Sequence, residues 1–389
     1  MQFSLKAGGL LFAMGVGVAS LAQSSDPINV VTSAVPFLRI SPDARAGAMG
    51  DVGLATSPDA NSTFWNLAKL PFIDSKGGIS LTYTPWLRDL GVNDVFLASA
   101  AGYFKLDEQS AISASVRYFD LGDIQFTDFS GNPLSTGKPT EVGVDFGYSR
   151  KISERWGVGA ALRYVNSNLA RGFASNSGVD YKAGQTVAGD ISTYYNGVDE
   201  TGKGFRAGLA LSNLGGKISY TNNAIERDYI PANLGVGVSY TAVFNEDTKL
   251  MFALDLNKLL VPTPPVASNT GDFQVDSARD ANALFEYRNK GVVNSWFSSF
   301  GDSDNELAEV QASVGMEFSY ADQFFLRTGY FHENRNKGNR RFFTAGVGLK
   351  FNAMGIDFSY LIPSGQGTNR NPLSNTLRFS LLFDFGKPQ

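Results

Sequence analysis

The sequence predicts an all-β fold, a 14-stranded antiparallel transmembrane β-barrel, and three observations predict it. About fourteen stretches of roughly ten residues alternate an apolar face with a face of Gly, Ser and charge, the pattern of a membrane-crossing strand. In Thr376 to Phe385, for example, Leu377, Phe379, Leu381, Phe383 and Phe385 point one way, while Arg378, Ser380 and Asp384 point the other. The connections then alternate between short turns and long loops, as in bacterial barrels with short turns on the periplasmic side. Third, Lys6, the small and apolar run Ala7 to Ala19, and Ser20-Leu21-Ala22 before Gln23 predict a signal peptide over 1–22. No later segment approaches the ~20 apolar residues of a spanning helix. A secreted β-sandwich alternates as well, but it makes less of these three features taken together.

In chain order, a segment over 23–76 precedes the first strand and is too long and too rich in small residues to be a simple tail. It either hangs in the periplasm or tucks into the lumen as a plug. The barrel is expected over 77–389, its first strand rising from Gly77 and its last ending at Phe385. Clear strands are Ala111–Phe119, Glu141–Ser149, Trp156–Val165, Phe205–Leu211, Leu234–Tyr240, Ser313–Tyr320, Phe324–Tyr330, Phe343–Phe351 and Ile356–Tyr360. The second strand, Phe96 to Phe104, is small or apolar on both faces, and the sixth, Val187 to Tyr195, alternates loosely, so neither has a fixed register. Short turns fall at 107–109, 153–155, 199–202, 245–247, 321–322 and 352–353. Long outer loops cover about 120–139, 168–186, 213–231, 258–308, 332–341 and 362–375, with a shorter one at 88–94.

The largest loop, 258–308, is far longer than a structureless connection of ~12–15 residues. It opens on Leu259-Leu260-Val261 before Pro262, read as an exposed, extended apolar run. Toward its end Ala283, Leu284, Tyr287, Val292, Trp296 and Phe300 are spaced as a helical apolar stripe. Leu259, Leu260, Val261, Trp296 and Phe300 are therefore the candidate partner-binding residues, with packing on the barrel rim as the alternative.

Composition narrows the chemistry. Of 389 residues, 42 are Gly and 30 are Phe, the types that barrels use for close lumenal packing and for interfacial girdles. The net charge is −4 with no Lys/Arg cluster, so no nucleic-acid surface is expected. Cys is absent, which excludes a disulfide scaffold and a lipidated N-terminal Cys. The single His, His332, lies in an outer loop beside Glu333. No His-assisted nucleophile or His-rich metal site can be assembled, so no catalytic residue, metal or cofactor is expected. The Gly pairs Gly157/Gly159 and Gly235/Gly237 sit within strands and are not phosphate loops.

By the alternation, Arg117, Arg163, Arg206, Arg327, Lys350 and Arg378 face the lumen, against Glu141, Asp145, Asp255, Glu317, Asp357 and Asp384. A pore selective for one sign of ion carries an excess of one charge. This balance suits a lumen filled by ion pairs around a plug, with Arg39, Asp43, Arg45, Asn61, Trp65 and Asn66 as the candidate plug residues.

The run from Phe37 to Gly53, FLRISPDARAGAMGDVG, and the run from Ser57 to Ala68, SPDANSTFWNLA, resemble the PorV (LptO) family of the type IX secretion system. The resemblance extends over nearly all of the chain after Ala22. Its wider kin are the FadL-like outer-membrane transporters, with a fourteen-stranded barrel and an N-terminal segment in the lumen. The resemblance implies a non-enzyme of the Gram-negative outer membrane, in contact with outer-membrane lipid and working beside the SprA (Sov) translocon. Such a protein binds the C-terminal signal domain of cargo and delivers it to the attachment complex of the sortase PorU. Three function classes follow: a secretion shuttle, a FadL-like channel for uptake of hydrophobic molecules, and a structural barrel.

Overall fold

A computed structural model describes residues 29–386 except 129, 171–180, 223–226, 304, 363–372 and 374. The expected signal peptide lies outside the described residues. Chain order gives β1 (Gly77–Pro85), β2 (Phe96–Lys105), β3 (Ser110–Asp120), β4 (Ile124–Thr127), β5 (Pro133–Gly137), β6 (Thr140–Lys151) and β7 (Trp156–Asn168). Next come β8 (Gly184–Val198), β9 (Gly204–Gly215), β10 (Asn233–Val243), β11 (Thr248–Leu259) and β12 (Gln311–Tyr320). The last four are β13 (Phe324–His332), β14 (Arg341–Phe351), β15 (Met354–Ile362) and β16 (Leu377–Phe385). All except β4 and β5 pair with their neighbours in one closed barrel of fourteen strands, sealed where β1 meets β16 antiparallel, Gly77 opposite Phe385. Closure leaves no unpaired backbone facing lipid, the condition for crossing a bilayer with strands.

The alternation sorts the side chains as expected. Leu81, Phe146, Leu162, Val187, Phe252, Leu326 and Leu381 are exposed on the outer face, where lipid covers them. Of the twelve expected lumenal charges, ten are buried and the other two, Lys350 and Asp384, are half-buried and pair at 2.9 Å near the short-turn rim.

The two strands of uncertain register have identifiable causes. The inner face of β2 is apolar because it packs on the N-terminal segment: Leu97 is fully buried with Phe37, and Ser99 donates to the Pro42 carbonyl. In β8 the pairing with β9 shifts between Gly189 and Ile191, a bulge that breaks the period of two. Asp190 sits at the shift and accepts from the amide of Asn213, whose φ of 57° turns β9 there.

The loops depart from expectation in two places. Loop 120–139 contains the separate β4–β5 hairpin. Loop 258–308 holds α3 (Phe273–Asn289) and α4 (Val292–Ser298), so the anticipated single stripe is divided at Lys290-Gly291, where extended backbone ends one helix and caps the next.

The N-terminal segment lies in the lumen. It starts at the long-loop rim, where the Asn29 amide donates to Asn336 O at 3.0 Å and that of Ala34 to Tyr229 O at 2.8 Å. It passes down through the short helices α1 (Ala44–Ala48) and α2 (Ser62–Trp65) and a 3-10 turn at Leu67–Phe72. It ends at the opposite rim, where the Lys76 amide meets Gly386 O. Lumenal glycines make this fit possible. A Cβ on Gly329 would stand 2.0 Å from the Met49 carbonyl carbon, and one on Gly159 would be 2.9 Å from the Ala68 nitrogen.

Candidate functional site

Two regions carry the residues singled out from sequence: the plug, and the outer loop 258–308. In the plug, Asp43 opens α1 as its N-cap, accepting from the Ala46 amide at 2.8 Å, and its second oxygen accepts from Trp65 Nε1 at 2.7 Å. Arg45, two residues on, reaches the barrel wall. Its Nε and Nη2 donate to the two oxygens of Glu317 on β12 at 2.9 and 2.8 Å, and Nη1 donates to Asp59 at 2.8 Å. Glu317 also accepts from Arg327 on β13, which in turn donates to Asp357 on β15. The row Asp59, Arg45, Glu317, Arg327 and Asp357 thus ties plug to wall with alternating charge. A second row joins Asp145, Arg163 and Asp190 across β6, β7 and β8, with Arg163 also donating to Asn213. Fork-shaped arginines suit both rows because each guanidinium can satisfy two carboxylates at once.

The remaining plug candidates are placed less uniformly. Arg39 donates to Gln311 at the outer end of β12. Asn66 donates to the carbonyls of Leu54 and Thr193, each at 3.0 Å, and accepts from the Ala68 amide at 3.1 Å, pinning plug to β8. Asn61 is buried, yet among the described residues its amide atoms find no partner. Two contributors were not among the plug candidates, although Asp255 was expected to face the lumen. Lys69, 1% exposed, donates to Gly53 O at 2.9 Å and Thr56 Oγ1 at 3.0 Å. Asp255, a lumenal position, accepts the amides of Gly53 and Leu54 at 2.8 and 2.9 Å. A lysine in an apolar run and a carboxylate that binds backbone leave no pattern in sequence.

The lumen is not completely filled. A cavity of about 710 Å³ opens at the short-turn rim, lined by turn residues such as Asp199, Glu200 and Asp322 and ending inside at Arg45, Glu317 and Arg327. A smaller one of about 90 Å³ lies toward the outer side, lined by Arg39, Asp51, Trp65, Arg117, Ser212 and Asn233. Above it Phe37, Leu38, Leu97, Phe119, Ile218 and Ile230 form an apolar cluster at the long-loop end, with Phe37 stacked on Phe119 at 6.4 Å.

At the outer rim the expected apolar run needs correction. Leu260 is 4% and Val261 1% exposed, because the chain folds back on β10 and the Leu260 amide donates to Ala232 O; Leu259 is half-buried at the end of β11. These three therefore do not form an exposed surface. Trp296 is half-buried, while Phe300 is half exposed and lies over the Lys258 ammonium at 5.6 Å. The most exposed apolar groups of the loop lie elsewhere, at Phe273 (84%), Leu307 (83%) and Phe297 (74%), with Phe285 also exposed. No described residue of α3 is buried, and Tyr287 alone gives it an aromatic anchor, edge-on to Tyr229 at 5.5 Å. The expected stripe is the better covered side, with Ala283, Tyr287, Val292 and Trp296 half-buried, and the exposed Phe285 and Phe297 stand one residue off it.

Beneath these helices the loops are fastened by charge. Glu309 accepts from Lys258 at 2.6 Å, Lys337 at 2.8 Å and Thr263 at 2.8 Å. Asp302, Glu306 and Glu309 converge, and the two ammonium groups meet their charge. Glu333 accepts two hydrogen bonds from the Arg340 guanidinium at 2.8 and 2.9 Å; burial alone would raise its pKa, but Arg340 holds it below the usual carboxylate range. His332 is at the end of β13, its ring 6.3 Å from that of Tyr330.

No curated protein matches the sequence. Among solved structures, the chain is similar to the CymD monoaromatic hydrocarbon channel, with TM-score 0.52 and 12% identity over 89% of this chain and 98% of that one. It is also similar to the Pseudomonas putida toluene transporter TodX, with TM-score 0.50 and 12% identity over 92% and 98%. At such identities the likeness concerns the fold, a closed barrel of the outer membrane. Residues 23–266 match the family described as type IX secretion system protein PorV. Neither that family nor this fold is that of an enzyme. With well over half of the chain matched and a closed fourteen-stranded barrel around a lumenal segment, this outer-membrane protein belongs to the PorV family of the type IX secretion system.

Proposed function

We propose that the protein is a secretion shuttle, which binds the C-terminal signal domain of cargo at the SprA (Sov) translocon and delivers it to the PorU attachment complex. The observation that carries this reading is the exposed apolar group on the outer loop, Phe273, Phe285, Phe297 and Leu307, on a chain whose family serves secretion. Leaving such groups in water costs roughly 25 cal/mol per Å², and contiguous apolar surface outside the membrane marks a binding site. The four groups lie beyond the matched residues, so they are argued from their exposure alone. Replacing 267–299 by a Gly-Ser linker is expected to leave a heat-stable, inserted barrel while reducing recovery of translocon or cargo from native membranes. Unchanged recovery and export would move the contact to other outer loops.

The second reading is a FadL-like channel for hydrophobic molecules, and the hydrocarbon channels that share the fold favour it. Against it, the apolar cluster at the outer end of the lumen is occupied by the chain's own Phe37. Bound lipid or hydrophobic ligand in purified protein, without translocon or cargo, would support the channel.

A further inference from the structure

The lumen contains two separate spaces, of about 710 and 90 Å³. The inner cavity ends at Arg45 and Asp59; the outer one begins at Trp65 and Asp51. Asp43 joins the two walls, since it caps the helix that carries Arg45 and accepts the Trp65 indole N–H at 2.7 Å. The Trp65 ring is seated so closely on the plug that a Cβ on Gly53 would lie 2.3 Å from it. The outer space is polar: Arg39 Nη1, Arg117 Nε, Asp51 Oδ1 and Asn233 Oδ1 are buried there without a partner among the described residues. Arg117 is 3% exposed, and orphaned donors and acceptors of both kinds around about 90 Å³ call for several waters, at ~10–15 Å³ each. On its outer side the space meets different chemistry, the packed side chains around Phe37 and Leu97, with Leu38 shared between the two.

We infer that the lumen is a latent aqueous conduit shut by two seals in series, an inner ionic one at Arg45, Asp43 and Trp65 and an outer apolar one around Phe37, with a hydrated lock chamber between them. The solutes that would enter are small and hydrophilic. The lining carries charges of both signs in near balance, so it selects weakly between cations and anions. Opening one seal admits solute to the chamber without joining the two sides of the membrane; opening both makes a pore. This device is independent of how the outer loop binds partners and is tested without cargo or translocon.

The chain has no Cys, so a single introduced thiol reports on one site. Val198→Cys lies in the inner cavity and Ser212→Cys in the lock chamber. In purified protein treated with a small charged methanethiosulfonate, the thiol at 198 is expected to react readily and the thiol at 212 at least about a hundredfold more slowly, as behind a closed local barrier. Adding Trp65→Ala, which opens the inner seal, or Phe37→Ala, which opens the outer one, is expected to raise the rate at 212 by about tenfold or more. In planar bilayers neither single seal variant conducts, whereas the Trp65→Ala/Phe37→Ala protein does. Heat-modifiable migration on gels verifies that each variant remains a folded barrel, and Trp65→Phe serves where Trp65→Ala does not fold. Equal labelling at 198 and 212 in the parent would overturn the inference, as would protection at 212 that persists in both folded seal variants, or conductance from either seal variant alone.

Discussion

The plug and the outer helical loop are both insertions on one barrel, yet they are built by opposite rules. The plug, inside a closed wall, buries charge and fastens it to the wall and to its own backbone; Arg45 alone meets Glu317 and Asp59, while single atoms of Arg39 and Asp51 stay unpaired among the described residues. The loop helices lie outside, where α3 buries no described residue and Phe273 on α3 and Phe297 on α4 are left to solvent. A segment that only fills space satisfies itself. A segment that leaves apolar groups uncovered is completed by something else. The contrast is testable because the two regions respond oppositely to mutation: plug and wall variants change stability, loop variants change binding.

The largest expected loss is at Arg163. At 2% exposure it pairs with Asp145 and Asp190, so Arg163→Ala leaves Asp190 buried without its cation and Asp145 with Arg117 alone, at 3.8 Å. Breaking a buried pair by removing one partner costs ~3–5 kcal/mol. Urea unfolding in detergent or lipid measures it, and a change within the range of a surface substitution would mean that the wall rows do not hold the barrel.

Second comes the lipid face. Leu381→Arg on β16 is exposed at the outer wall, and a mid-bilayer Arg there costs ~2–4 kcal/mol. Alternation suggests Gly143→Arg as its silent lumenal counterpart, but a Cβ at Gly143 already meets Leu38 at 3.4 Å. That substitution strikes the plug and is expected to be costly too, with more efficient labelling of the lock chamber as its separate signature. Loss at Leu381 without such labelling, and loss at Gly143 with it, would sharpen the division of wall from plug.

How far the sequence showed this division depends on the kind of order involved. A strand's faces are set by a period of two, so the lumenal positions of Arg117, Arg163 and Glu317 were readable one residue at a time. The bulge at Asp190 was not, because it breaks the very period that carries the signal. Nor were the partners of the plug: Arg45 and Glu317 are 272 residues apart and meet only because the barrel closes around α1. In the loop, composition marked Leu260 and Val261 as apolar, and apolarity alone cannot distinguish a residue that packs beneath a loop from one offered to a partner. The β4–β5 hairpin was missed because its strands, of four and five residues, are too short for a period of two to stand out.

A smaller effect is expected with acid. Glu333 and Glu309 have pKa values held below the carboxylate range; for each, burial acts in the opposite direction, and hydrogen bonds from Arg340, or from Lys258 and Lys337, prevail. A depressed folded-state pKa stabilises fully above the unfolded value, about 4.3 for Glu, and the contribution is lost as pH falls through the folded value. Loops 258–308 and 332–341 are therefore expected to become more susceptible to protease below about pH 4 while the barrel stays folded. Equal susceptibility at about pH 2 and about pH 7, under proteases active at each, would show that these carboxylates do not fasten the loops.

The smallest change in stability is expected where the change in function is greatest. Phe297 and Leu307 stand 74% and 83% exposed, touching water rather than packing, so their loss removes almost no folded-state contact. Phe297→Ala and Leu307→Ser are expected to alter stability within ±0.5 kcal/mol, as roughly neutral surface substitutions do. If a partner covers them, each exposed aromatic or aliphatic anchor contributes to binding on the scale of an interface hot spot, ~2 kcal/mol. The pair together would then lower recovery of translocon or cargo by more than tenfold at limiting protein, with the barrel equally heat-stable. Full recovery with both changed would mean that the uncovered helices are not the docking surface. Lost stability would mean that the helices, like the plug, are held by contacts within the chain, and the difference between the two regions would be one of degree.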